Sequence, residues 1–266
     1  MPSRAGATPA LAVARLRAGA EAAEVASNAG LARTVRLLSS FRSEQTDPDR
    51  FYALLGEDAV QQIAGYCEVS GRAVVDVGGG AGWFTEAFRA HGARCVLVEP
   101  DRGELSSRGT VPDGAVLGDG LRLPVRDGAA DIAFSSNVLE HVPDPMRLIG
   151  EMIRVTRPGG LIYLAFTNWY SPWGGHEMSP WHYLGPGFAE RRYVKRYQRQ
   201  PKHRVGATLF PVHVGHLLGA LRGRADIEIV DARPRYYPTW CRPLVAVPVL
   251  REVATWNLLL IMRRTR

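Results

Sequence analysis

The chain has 266 residues, 46% hydrophobic and 22% charged, with a formal net charge of +7 at pH 7. Those values set aside disordered and collagen-like polypeptides and suit one large α/β domain or two small ones. All but two of the basic residues (Lys195 and Lys202) are arginine, a bias that reads as GC-rich coding and argues little for a nucleic-acid partner.

Residues 1–30 are rich in Ala and Arg and predict a partly disordered or loosely helical terminus. Arg15 and Arg17 interrupt "ALAVARLRAGA" where a secretory signal needs an unbroken apolar core. Helical spacing runs from Leu31 to Tyr66, broken at Thr46–Arg50. The expected organisation is an N-terminal helical segment, 1–66, followed by one domain, 67–266. Strands are expected at Ala73–Val77, Arg94–Glu99, Asp131–Ser136 and Leu161–Thr167, with helices at Gly82–Gly92 and Met146–Gly160, the second stopped by Pro158 and Gly159. Such alternation predicts a parallel, doubly wound sheet. Two stretches, 168–225 and 235–254, interrupt the pattern as insertions. The strands Ile227–Ala232 and Trp256–Met262 complete it. The longest apolar run, Val253–Met262, is about half a membrane-spanning helix. Cys67, Cys95 and Cys241 form no disulfide or zinc-ligand spacing, which predicts a reducing, cytoplasmic setting.

Between the first strand and helix stands "VVDVGGGAGWF", Val74–Phe84. Glycines here allow a tight turn and a close ligand approach to a helix N-terminus. The dinucleotide pattern G-x-G-x-x-G fails in both registers, because Trp83 and Thr85 occupy the third glycine position. What fits is an acid followed by G-x-G-x-G: Asp76, Gly78, Gly80 and Gly82. "VLVEP" ends the second strand in Glu99, and "GDGLRLP" places Asp119 and Gly120 in a loop. "SSNVLEHV" brings Asn137, Glu140 and His141 to the end of the next clear strand, and "RPGGLIYLAF" follows a helix.

In order and spacing these stretches resemble the class I S-adenosylmethionine (SAM)-dependent methyltransferases. The resemblance implies a Rossmann-like, doubly wound, seven-stranded α/β sheet whose last strand is antiparallel. It also implies SAM as cofactor, held by Asp76, Gly78, Gly80, Gly82, Glu99, Asp119, Gly120 and Asn137. Over nearly its whole length the chain is similar to a methyltransferase family of mycobacteria and related actinobacteria. "LLSSFRSEQTDPDRFY" (Leu37–Tyr52), "GGHEMSPWHYLG" (Gly174–Gly185) and "RYYPTW…VPVLREVATWNLLL" (Arg235–Leu260) carry that similarity, which leaves the methyl acceptor open.

Methyl transfer needs alignment and exclusion of water, and a hydroxyl acceptor additionally needs a general base or a metal. Candidate catalytic residues are His176, His141 and Glu177, with His182 and Tyr183 in the same cluster; His176 is the preferred base. The bland alternative is an aromatic lid held by hydrogen bonds. The spacing matches no recognised metal signature, so no metal is assigned. Phe188–Arg204 holds seven Arg or Lys against one acid. It reads first as a solvated helix face and otherwise as a clamp for an anionic substrate. The 235–254 insertion suits a membrane interface, a cap on the acceptor pocket or a homodimer contact. The expected activity is O-methylation of a hydroxyl on a glycan, glycolipid or lipid-linked intermediate at the inner membrane face. The alternatives are a methyltransferase for a soluble secondary metabolite and a non-catalytic SAM-binding regulatory protein.

Overall fold

The structure is a computed structural model that describes residues 30–44 and 46–266. The expectations for residues 1–29 lie outside the described residues. Helix α1 covers residues 30–40, and α2 spans Pro48–Ala64. Asp47 caps α2 by accepting from the Arg50 N–H, with Pro48 at the first helical position. Then follow β1 (Ala73–Val77), α3 (Trp83–Ala90), β2 (Arg94–Glu99), α4 (Arg102–Leu105) and β3 (Ala115–Leu117). The second half comprises β4 (Ala130–Ser136), α5 (Pro145–Val155), β5 (Thr156–Thr167), α6 (Pro186–Tyr197), α7 (Val214–Arg222), β6 (Ile227–Pro234), α8 (Leu250–Val253) and β7 (Asn257–Arg264).

The seven strands form one sheet in the order β3-β2-β1-β4-β5-β7-β6. β1 to β5 pair in parallel, and β7 runs antiparallel to both β5 and β6. Strand order reverses between β1 and β4, so a crevice opens at the carboxyl ends of those strands. Both faces are covered. Leu148, Ile149 and Met152 of α5 and Leu217, Leu218 and Leu221 of α7 pack on one face, against Val75, Ile162, Leu164, Leu260 and Met262. On the other face Leu37 of α1, Phe51, Leu55 and Ile63 of α2 and Phe88 of α3 meet Val74, Phe134, Tyr163, Leu259 and Ile261. Burial on both sides explains why β7 reads as the unbroken run "NLLLIM" rather than an alternation. Removing a side chain such as Phe88, which is 0% exposed, would cost about 3–5 kcal/mol.

One expectation changes and one is completed. The helix expected over Met146–Gly160 ends at Val155. Thr156 turns extended (ψ 133°) and its hydroxyl donates to the Met152 carbonyl, while Pro158 bars helical geometry at Arg157. The chain therefore pairs with β4 from Thr156 onward. The seventh strand, which the resemblance implied without a position, is the edge strand β3; its three residues, with only intermediate or full exposure, carry no periodic signal.

Candidate active site

The glycine turn after β1 is built against the ends of β2 and β4. Gly78 has φ +72°, and its N–H donates to the Val98 carbonyl at 2.8 Å. A Cβ there would strike Val138 at 2.5 Å, so the turns after β1 and β4 touch. Gly82 has φ +88°, and a Cβ there would meet Pro112 at 2.7 Å. Gly80 differs: φ is +53° and nothing lies within 4 Å of its Cβ position. Two of these glycines serve packing, while Gly80 leaves open space above the backbone.

Glu99 lies beneath that turn, 7% exposed. Its Oε2 accepts from the Gly80 N–H at 3.1 Å and its Oε1 from the Asp101 N–H at 3.0 Å. A carboxylate has about four acceptor sites, so two remain for a diol. Burial raises the Glu99 pKa, opposed by these two backbone donors. Asp76 is deeper, 1% exposed. The Thr85 hydroxyl donates to its Oδ2 at 2.7 Å, and Oδ1 is buried without a partner. Burial pushes its pKa up to about 7.

Asp119 is exposed and caps the turn Gly120–Arg122 by accepting from the Leu121 N–H at 2.8 Å. The missing side chain of Gly120 is accounted for by Leu148, which a Cβ would meet at 2.8 Å. Asn137 adopts φ +59° directly after β4, its N–H bonded to the Ala165 carbonyl. Its Nδ2 donates to Thr167 Oγ1, and its Oδ1 accepts from Ser136 and from Arg235. Arg235 itself is 1% exposed. It lies over the rings of Phe84, Tyr163 and Tyr236, and its Nε and Nη2 have no partner. Sequence reasoning missed Arg235, because nothing local separates it from a surface arginine at an insertion boundary.

Beyond the ends of β4 and β5 three histidines converge. His141 Nε2 and His176 Nε2 are 3.2 Å apart. His203 completes the group, with ring centroids 4.9 Å from His141 and 4.6 Å from His176. Glu177 does not orient its neighbour His176. Both its oxygens turn to His203, taking the backbone N–H at 2.9 Å and Nδ1 at 2.8 Å. Burial opposes ionisation of Glu177, but the His203 donors outweigh it and hold the carboxyl at about 2. Burial, reinforced by His141 and His203, pushes His176 down to about 3. His176 also has φ +50°, a strained conformation for a residue other than glycine. His182 is fully buried beside Trp169 and Gly175, outside the group. His203 was hidden inside the basic stretch, and only its neighbour Lys202 drew notice.

Glu140 fastens this region to the sheet. It is 2% exposed, its Oε1 accepts from the Thr167 N–H, and its carbonyl accepts from the Phe210 N–H. The insertion has its own apolar centre of Trp169, Met178, Ala189, Tyr193 and Leu209. Tyr193 anchors α6, whose Arg191, Arg192, Lys195 and Arg196 lie on its exposed side, Arg192 over the Trp181 ring at 3.8 Å.

Residues 75–164 match the family described as a methyltransferase domain. A methyltransferase of Mycobacterium sp. (strain JLS) is 45% identical over 248 residues, covering 90% of this chain and 97% of the relative. One from Mycolicibacterium paratuberculosis is 45% identical over 250 residues, covering 90% and 96%. The chain belongs to this methyltransferase family. Its fold is similar to that of a SAM-dependent methyltransferase from Mesorhizobium loti (TM-score 0.54, 24% identity, covering 78% of this chain and 98% of that one). A protein of Pyrococcus horikoshii also shares the fold (TM-score 0.51, 15% identity, covering 84% and 95%).

The methyltransferase uses SAM, which supplies an electrophilic methyl carbon when bound. The residues present fit it. Gly80 leaves the backbone bare, Glu99 keeps acceptor capacity for ribose hydroxyls, and acids near the turn suit a cationic ligand. Val138, directly after Asn137, borders the same turn from the end of β4.

Proposed function

We propose that this methyltransferase methylates an oxygen, the hydroxyl of a glycan, glycolipid or lipid-linked intermediate, on the cytoplasmic face of the membrane. The observation carrying this reading is the group of three imidazoles, one backed by the Glu177 carboxylate, beside the turn that touches the glycine loop. An amine acceptor would need only alignment. A hydroxyl is a poor nucleophile and requires something that takes or polarises its proton. Exposed Arg191, Arg192 and Arg196 on α6 support an anionic acceptor such as a phosphate-linked glycan. Trp240, Val247, Val249, Leu250 and Val253 are all exposed in the second insertion and support contact with a lipid surface. No described helix is long and apolar enough to cross a membrane.

The test is incubation of the purified protein with methyl-labelled SAM and fractionated extract of the source organism. Label recovered as a methyl ether in the lipid or glycan fraction is the expected result. Label in a small soluble compound would replace this reading with secondary-metabolite methylation, and label on nitrogen would remove the hydroxyl argument.

A further inference from the structure

We propose that His141, His176 and His203 form a binding site for a divalent transition-metal ion of the zinc class. One ring nitrogen from each lies within 4.8 Å of the others. The three rings form a nearly equilateral triangle, with centroid separations of 4.9, 4.9 and 4.6 Å. Nitrogens about 2.0 Å from a tetrahedral ion stand roughly 3.3 Å apart, and the His141–His176 pair is already at 3.2 Å.

The surrounding acceptors select the nitrogen each ring can offer. His141 Nδ1 lies 2.7 Å from the Thr208 carbonyl, which can only accept, so that nitrogen carries the proton and Nε2 a lone pair. His203 Nδ1 is held in the same way by Glu177 Oε2, which again frees Nε2. This is the carboxylate–histidine arrangement that orients metal-ligating imidazoles. With no cation, His176 must place its proton on Nε2 to face His141, which leaves its buried Nδ1 an acceptor without a partner. A cation shared by the three Nε2 atoms takes up the lone pairs that His141 and His203 turn inward, which a single His176 N–H cannot satisfy together. Neutral imidazoles favour zinc, iron, cobalt, nickel or copper over magnesium or calcium. Three ligands leave a fourth position for water or an oxygen of the acceptor. Binding of the ion stands by itself, and only its use on an acceptor oxygen rests on the O-methylation reading.

The full-length protein, stripped with chelator, is titrated with Co(II) while visible absorption is followed; a second sample is loaded with zinc, dialysed and analysed for metal. One zinc per chain and the intense bands of tetrahedral cobalt are expected. His203→Gln should lose both while keeping SAM affinity and melting temperature, and Glu177→Gln should weaken zinc about 10- to 100-fold. Zinc washing out of the wild type, or equal binding by His203→Gln, overturns the site. Should the variant misfold, the wild type decides: zinc must protect these three histidines from acylation, and identical modification with and without zinc overturns the proposal. Stoichiometric zinc with label on a nitrogen acceptor would keep the site and remove only its role at a hydroxyl.

Discussion

The backbone N–H of Gly80 donates to Oε2 of Glu99 at 3.1 Å, tying the glycine loop to the strand beside it. One carboxylate therefore shapes the loop and keeps acceptor sites free beside it. Glu99→Gln replaces half of those acceptors with a donor and should weaken SAM by about 1–3 kcal/mol, roughly 5- to 150-fold. Calorimetry measures it, and an unchanged affinity would show that Glu99 does not face the ligand.

Gly80→Val should separate binding from folding. The side chain enters open space, so stability falls only by the left-handed backbone strain, about 1–2 kcal/mol. SAM titration should be flat. Normal binding by a folded variant would place the ligand elsewhere.

Asp76 gives the free protein a defined pH response. Its pKa rises from 3.8 to about 7 on folding, chiefly through burial, with Glu99 adding to the rise and Thr85 and Arg89 opposing it. Between those values the folded protein holds a proton that the unfolded chain has released. The associated stability is complete below pH 3.8 and is lost as pH rises through 7, a swing on the order of 4 kcal/mol. Asp76→Asn cannot ionise, so its melting temperature should fall less than wild type between pH 5 and pH 8. Parallel curves would assign the pH dependence to other groups.

Arg235→Met pits two effects against each other. The substitution removes the Nη1 bonds to Ser136 (2.7 Å) and Asn137 (3.1 Å), each worth about 1.5–3 kcal/mol. It also removes two buried, unpartnered nitrogens, each costing about 1–3 kcal/mol. The terms nearly cancel, and Asp58 keeps its partner Arg33. Urea unfolding should shift by about 1 kcal/mol or less, while methyl transfer falls because Asn137 loses an anchor. A loss above about 3 kcal/mol would show that the buried cation is a stabilising element in its own right.

Tyr193→Ala should act on the inserted lobe, 168–225, alone. The lobe's apolar centre is small, and losing its tyrosine costs about 3–5 kcal/mol locally. Limited proteolysis should cut within 168–225, with transfer lost and SAM affinity retained. Loss of SAM affinity as well would mean that lobe and cofactor site unfold together.

The glycine turn, Asp76, Glu99 and the strand–helix alternation were legible because their causes are local. Positive φ at Gly78, Gly80 and Gly82 favours glycine, and strands buried on both faces favour continuous apolar runs. The same local reasoning misjudged the end of α5, where a side-chain bond from Thr156 and pairing with β4 outweigh helical periodicity. It had no means of ranking Arg235 among so many arginines.

The sequence by itself determined the strand–helix alternation and the glycine turn, since periodicity and backbone torsion act over a few residues, and its motifs carried the resemblance to the family. Only the tertiary structure decided how the histidines are grouped. His141 and His176 stand 35 residues apart and meet because β4 and β5 are neighbours, while His203 joins them through its bonds to Glu177. A cluster drawn from three loops has no spacing to read, because the distances that create it exist only after the sheet has formed.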